Sequence, residues 1–408
     1  MTPPFRIAFK IDFDDVWTGG ISYYENLFHA LRTVASSQDI TLLGFVAQSR
    51  THYETLLPKL DEIIQLHPPR PTERSANLLS RILAKAKRYL LPPPPVEHPI
   101  SKEMRQGGAD IAFLRGFPGR DFRIPTLSWF PDFQYLHYPE MFPPAEVEQL
   151  DKTIKDIAQY STRVILSSET AKKDFLQLVP KYAHKACVLS FVSFLDESIY
   201  SQSVREICNE YSLPERFIYL PNQFWKHKNH RLVLEALTLA RRECPQVVIV
   251  STGLLSDYRD SRYASEFLAD VSRSGNRDNF ILLGIVPRNH MFAIMRQSLC
   301  VIQPSLFEGW SSIVEEVKSL GKTVLLSDIP VHREQNPPSV EYFDPYDAKS
   351  LAGKLLLAYE KYIPGPDLTL EEQARKNLQS RVVAFGKDFV GIVKEVLDEW
   401  ALENGTRK

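Results

Sequence analysis

VIQPSLFEGWSSIVEE, residues 301–316, decides how the rest of the chain is read. An apolar run from Val301 ends at Pro304-Ser305, a loop carries Glu308-Gly309-Trp310, and a helical pattern begins near Ser312. Strand, loop and helix in that order leave free backbone N–H groups and a positive dipole end facing whatever occupies the loop, an arrangement suited to phosphate. Ser312 and Glu315 stand at capping-box spacing, which gives Glu315 a structural task. Glu316, one residue on, has no such explanation. Glu308 lies before the helix and Glu316 about one turn inside it, so the two carboxylates can flank a phosphorylated ligand.

The surrounding sequence repeats the same rhythm. Phe217–Leu220, Val247–Ser251, Phe280–Leu283, Leu299–Gln303 and Thr323–Ser327 are short apolar runs separated by helix-length segments. One of those segments aligns Leu232, Val233, Ala236, Leu237 and Ala240 on one face. At the other end of the chain, Arg6–Phe13 reads as a strand, Gly19-Gly20 as a turn, Ser22–Val34 as a helix and Ile40–Val46 as a second strand. Both halves therefore read as α/β, each a doubly wound, Rossmann-like parallel sheet, with the two domains meeting near residues 190–215. With 408 residues and about 100–200 per domain, two domains are expected. The boundaries read are 1–195, 196–385, and a C-terminal helix in 386–408, seen as apolar residues from Phe389 to Trp400, packing back towards the N-terminal domain.

Composition narrows the partners. Hydrophobic residues make up 44% and charged residues 24%, with a net charge of -1, so nothing global points to nucleic acid. The four cysteines, Cys187, Cys208, Cys244 and Cys300, form no Cys-x-x-Cys pair, and neither a zinc site nor a redox pair is indicated. Acidic residues precede any signal-like apolar run, and no stretch is long and apolar enough to cross a bilayer, so a cytoplasmic protein is expected. Residues 75–91 form a basic amphipathic pattern with two readings: a surface helix on its own domain, or a peripheral contact with the inner membrane face.

Glu308, seven intervening residues and Glu316, inside PSLFEGWSSIVEE and before GKTVLLSDIP, resemble the signature of family 4 retaining glycosyltransferases of the GT-B fold. The resemblance implies that Glu308 contacts the transferred sugar and Glu316 the nucleotide ribose. It also implies that backbone amides of Gly309, Trp310, Ser311, Ser312 and Ile313 hold the diphosphate. The family's usual second glycine and proline are Ser311 and Ile313 here. PNQFWKHKNH, residues 221–230, resembles the loop where an Arg and a Lys neutralise the departing diphosphate. Lys228 matches the Lys and stands beside Asn229, read as a helix cap; Asn222 or Gln223 occupies the Arg position, so Lys226 or another base would compensate.

Gly19 and Gly20 match the N-terminal loop that approaches the donor phosphates, and Leu283–Pro287, with Ile285 and Val286, matches the turn edging the nucleobase. Gly253 and Ser305 are lesser contacts. WFPDFQYLHYPEMF, residues 129–142, resembles the acceptor loop; Asp132 and His137 are its acceptor-side candidates, with a purely structural His137 the other reading. Pro131-Asp132 stands where the family has His-Asp.

What the resemblance implies is metal-independent, hexosyltransferase-type transfer from a UDP- or GDP-sugar to a glycan or lipid-linked glycan, with Glu308, Lys228 and Asp132 catalytic and no cofactor. Polysaccharide or glycolipid biosynthesis would be the setting. A non-catalytic nucleotide-sugar binder or assembly protein on the same fold is the alternative. Asp12-Phe13-Asp14 could also suggest a phosphatase or a metal-binding Asp-x-Asp, but Val16 stands where a phosphatase motif needs Thr.

Overall fold

The computed structural model describes residues 5–12, 18–36, 38–47, 54–66 and 97–405. The basic segment 75–91 therefore lies outside the described residues, as does Asp14; Asp12 is ion-paired with Lys10.

Two wholly parallel sheets make up the described residues. The first contains β1 (Phe5–Ile11), β2 (Ile40–Ala47), β3 (Glu62–Leu66), β4 (Ile111–Arg115), β5 (Thr126–Phe130), β6 (Arg163–Leu166) and β7 (Ala186–Val188). Its spatial order is β3-β2-β1-β4-β5-β6-β7. The second contains β8 (Ile218–Pro221), β9 (Ile249–Thr252), β10 (Phe280–Leu282), β11 (Val301–Gln303), β12 (Val324–Ser327) and β13 (Val340–Phe343). Its order, β10-β9-β8-β11-β12-β13, reverses direction between β8 and β11. Parallel strands covered by helices bury both faces, which is why β4, β5, β8, β9 and β12 are almost entirely buried.

The expected strands of the second sheet are present, with ends shifted by up to two residues. The helix after β1 starts at Thr18, earlier than read, so Gly19 and Gly20 belong to its first turn and not to a preceding loop.

The C-terminal helix differs more. It runs unbroken from Leu368 to Glu403, capped by Asp367, and straddles both sheets. Near its start Glu371 receives two hydrogen bonds from Arg296, at 2.7 and 3.0 Å, and Arg381 pairs with Glu315. Further on, Phe385, Phe389, Val393 and Val396 enter the core of the first sheet, where Phe389 meets Phe9 and Phe113. Gly386 allows this: a Cβ there would lie 2.5 Å from the Ala30 carbonyl oxygen of the 18–34 helix. The charged first half lacks the apolar stripe of the second, which is why only the latter was legible. One core cluster runs from Phe9 through Trp129 and Phe191 to Val301 and Val314, joining the two sheets around the cleft.

Candidate active site

β8 and β11 are neighbours at the reversal point of the second sheet, so the loops leaving their C-terminal ends share one cleft. Asn222 donates its side-chain amide to Gln303 Oε1 at 2.8 Å, tying the two loops at their base. Gly253 is required next to them: its φ is +135°, and a Cβ would lie 2.1 Å from the Asn222 carbonyl oxygen. Gln223 Oε1 accepts from the Leu254 N–H at 3.0 Å.

Asn229 has a left-handed backbone and makes no side-chain cap, contrary to the sequence reading. Its amide instead donates to the carbonyls of Pro304 and Pro345, at 3.2 and 2.9 Å. That bracing sets Lys228 opposite Glu308. Lys228 Nζ lies 2.5 Å from Glu308 Oε1, which also accepts from Ser305 Oγ (2.6 Å) and Gln303 Nε2 (2.9 Å). Burial by itself would push the Glu308 carboxyl up, but the Lys228 charge and the hydrogen bonds from Lys228 and Ser305 outweigh it, leaving it below the ordinary glutamate value. Glu308 is thus a held carboxylate.

The helix after the loop spans Ser312–Leu320, but its cap is Ser311, whose hydroxyl accepts from the Val314 N–H. The Ser312–Glu315 capping box is therefore absent. Glu315 is structural in another way, bound by Lys318, Gln335 and Arg381. The cap moves back by one residue because the Ser311 N–H is taken by Gln335 Oε1 and its carbonyl by Gln335 Nε2, fixing the loop's exit. Glu316 is 2% exposed. Arg288 Nη1 holds its Oε1 at 2.7 Å, while Oε2 is buried with no partner among the described residues. Burial raises its carboxyl above the ordinary glutamate value despite Arg288. An unsatisfied buried oxygen on a paired carboxylate is an acceptor waiting for a donor.

These groups line one cavity of about 460 Å³ between the domains. Its wall takes in Gly19, Asp132, Asn222, Gln223, Lys228, Gly253, Ile285, Val286, Glu308, Gly309, Trp310, Ser311, Ser312, Ile313 and Glu316. Gly20 is buried beside it in the 18–34 helix. Ser305 is fully buried behind Glu308. Gly309 sits where the domains touch: a Cβ there would lie 2.1 Å from the Pro131 carbonyl oxygen and 2.6 Å from Asp132 Cβ. Trp310 reaches across as well, donating Nε1–H to the Phe191 carbonyl at 3.0 Å. Its side chain is a strut between domains.

Asp132 accepts from the Gln134 N–H at 3.0 Å, and burial raises its carboxyl, reinforced by the nearby Glu308 charge. His137 is elsewhere. It is bonded to Asp174 at 3.0 Å, packs against Phe307, and lines a neighbouring cavity. Lys226 is exposed and does not line the first cavity. Arg288 and Gln303 are the residues that sequence reading missed. Neither stands in a spacing pattern, and only the fold brings Arg288 to Glu316.

Residues 207–379 match the family described as glycosyl transferases group 1. The match is to this stretch, less than half of the chain. It contains the Lys228 loop, the Glu308–Glu316 loop and the second sheet. Over the whole chain the fold is GT-B, two Rossmann-like domains. Anabaena Alr3699/HepE, solved with UDP and glucose, aligns with a TM-score of 0.67 at 14% identity, covering 96% of this chain and 100% of that one. Sucrose-phosphate synthase from Thermosynechococcus elongatus aligns at 0.66 and 15%, covering 97% and 100%. A glycosyltransferase from Rickettsia africae aligns at 0.65 and 15%, covering 97% and 99%. At these identities the likeness is one of fold, and the sequence similarity rests on the match over 207–379. No curated protein matches the chain. None of the helices among the described residues is long and apolar enough to cross a membrane.

Proposed function

We propose that the protein transfers a sugar from a nucleoside diphosphate sugar to a glycan or lipid-linked glycan, with retention at the anomeric carbon and without a metal or other cofactor. The domains proposed are 1–195 on the acceptor side and 196–385 on the donor side, joined by the C-terminal helix. The observation that carries the reading is the cleft's charge pattern. A lysine-braced carboxylate, a helix N-terminus and a half-satisfied buried carboxylate follow one another along a single cavity.

In this reading the base lies along Ile285 and Val286, the ribose hydroxyls donate to Glu316 Oε2, and the diphosphate lies between Lys228 and the amides ahead of the 312–320 helix. Breaking the anomeric C–O bond leaves its electron pair on the diphosphate, where Lys228 and those amides favour the developing charge. Positive charge builds on the sugar ring beside Glu308, a carboxylate already ionised. The acceptor oxygen forms the new bond to the anomeric carbon, and its proton passes to the leaving phosphate oxygen. Alr3699/HepE was also solved with UDP-glucose, which makes a uridine donor the first to try. Thermal-shift screening of UDP- and GDP-sugars tests the reading: a ligand at about 100 times Kd adds roughly 2.7 kcal/mol. No shift with any activated sugar at millimolar concentration refutes it. Transfer that collapses in chelator refutes metal independence.

A further inference from the structure

Phe307 and Glu308 form a ridge with a cavity on each side. The second cavity, about 600 Å³, lies between His137, Tyr138 and Thr170 of the first domain and the C-terminal ends of β12 and β13. We propose that it binds a neutral pyranose unit of the glycan acceptor, with Tyr346 as the stacking platform; the acceptor role rests on the donor reading of the first cavity.

Tyr346 is the central observation. It is 71% exposed, yet its backbone N–H donates to Asp344 Oδ1 at 2.8 Å and its hydroxyl meets the Tyr138 hydroxyl at 2.6 Å. A large aromatic ring is thus left bare while both its ends are held. Such a ring is a preorganised surface for the apolar C–H face of a sugar. Around it stand groups suited to hydroxyls: Asp344, Asp328 and the back of Glu308.

The charge pattern selects against the donor here. Arg333 is the guanidinium in this wall, and Asp328 engages it through two hydrogen bonds, at 2.6 and 2.7 Å, while its plane stacks on Tyr342. A diphosphate would face carboxylates with that cation already occupied, whereas a neutral polyol meets acceptors and an aromatic face. The volume is within the usual range for small-molecule sites. Because Tyr138 and Tyr346 come from opposite domains, the cavity wall is complete when the domains meet as they do in this structure.

The test is saturation-transfer NMR and titration of the full chain with methyl glucoside, galactoside, mannoside and N-acetylglucosaminide, alongside UDP and GDP calorimetry. At least one glycoside should bind the wild type in the millimolar range. Tyr346→Ala should weaken that binding about tenfold, the scale of a lost stacking contact. Tyr346→Phe, which keeps the ring, should restore it to within about twofold, and nucleotide affinity should be unchanged in both. Absence of glycoside binding to the wild type, or equal binding by Tyr346→Ala, overturns the proposal. Glycoside binding that needs Tyr346, with no nucleotide bound, would leave a sugar site standing and sink the donor reading instead.

Discussion

Replacing Glu308 by Gln separates the two duties of its ion pair. Lys228 Nζ and Glu308 Oε1 are 2.5 Å apart, with side chains 13% and 9% exposed. Glutamine keeps an oxygen for the Ser305 and Gln303 hydrogen bonds but removes the charge, leaving Lys228 unpaired in a largely dry site. Breaking a fully buried pair costs about 3–5 kcal/mol; the cleft admits water on one side, so about 2 kcal/mol is expected. For a domain of this size that is a fall of roughly 4–8 °C in Tm. A diphosphate would then meet an uncompensated ammonium, so UDP or GDP should bind Glu308→Gln more tightly than wild type and restore most of the lost midpoint. Transfer should still fall at least about 10²-fold, because the charge facing the sugar is gone. Differential scanning fluorimetry with and without nucleotide, together with product assays, reads all three. Equal midpoints without nucleotide, or an equal nucleotide-induced rise, would refute the account of the pair.

Glu316→Ala should weaken nucleotide affinity by roughly tenfold to a hundredfold, the range for a hydrogen bond to a charged acceptor; unchanged calorimetric affinity rejects the ribose contact. Gly309→Ala puts a methyl group 2.1 Å from the Pro131 carbonyl oxygen, so the domains should be held apart, with a larger radius of gyration in X-ray scattering and slower transfer. Scattering identical to wild type would count against that. His230 and His332 are buried and neutral, with desolvation pushing their pKa values down to about 3 and about 4 from 6.5. As pH falls below 6.5 the unfolded chain takes up protons that the fold refuses, so stability drops by up to about 1.4 kcal/mol per pH unit for each histidine. His230 is fully buried and stacks on Phe224 at 4.0 Å, so His230→Phe should flatten the urea-midpoint slope between about pH 6.5 and 5. An unchanged slope contradicts this.

The sequence by itself determined the features that depend on near neighbours. The strands of the second sheet, the loop ahead of the 312–320 helix and the spacing of Glu308 and Glu316 were all legible, because burial and helical periodicity leave short-range patterns. Caps were less legible. Adjacent Ser311 and Ser312 offer the same hydroxyl, and only Gln335, brought in from another helix, decides between them. Tertiary structure decided everything that joins distant segments: Arg288 on Glu316, Lys228 on Glu308, Gly309 against Pro131, and Tyr138 beside Tyr346. It also decided that His137 faces the second cavity and that the last helix begins at Leu368. These contacts arise because two separately wound sheets are pressed together by a shared core. Complementarity across that surface has no period along the chain from which it could be read.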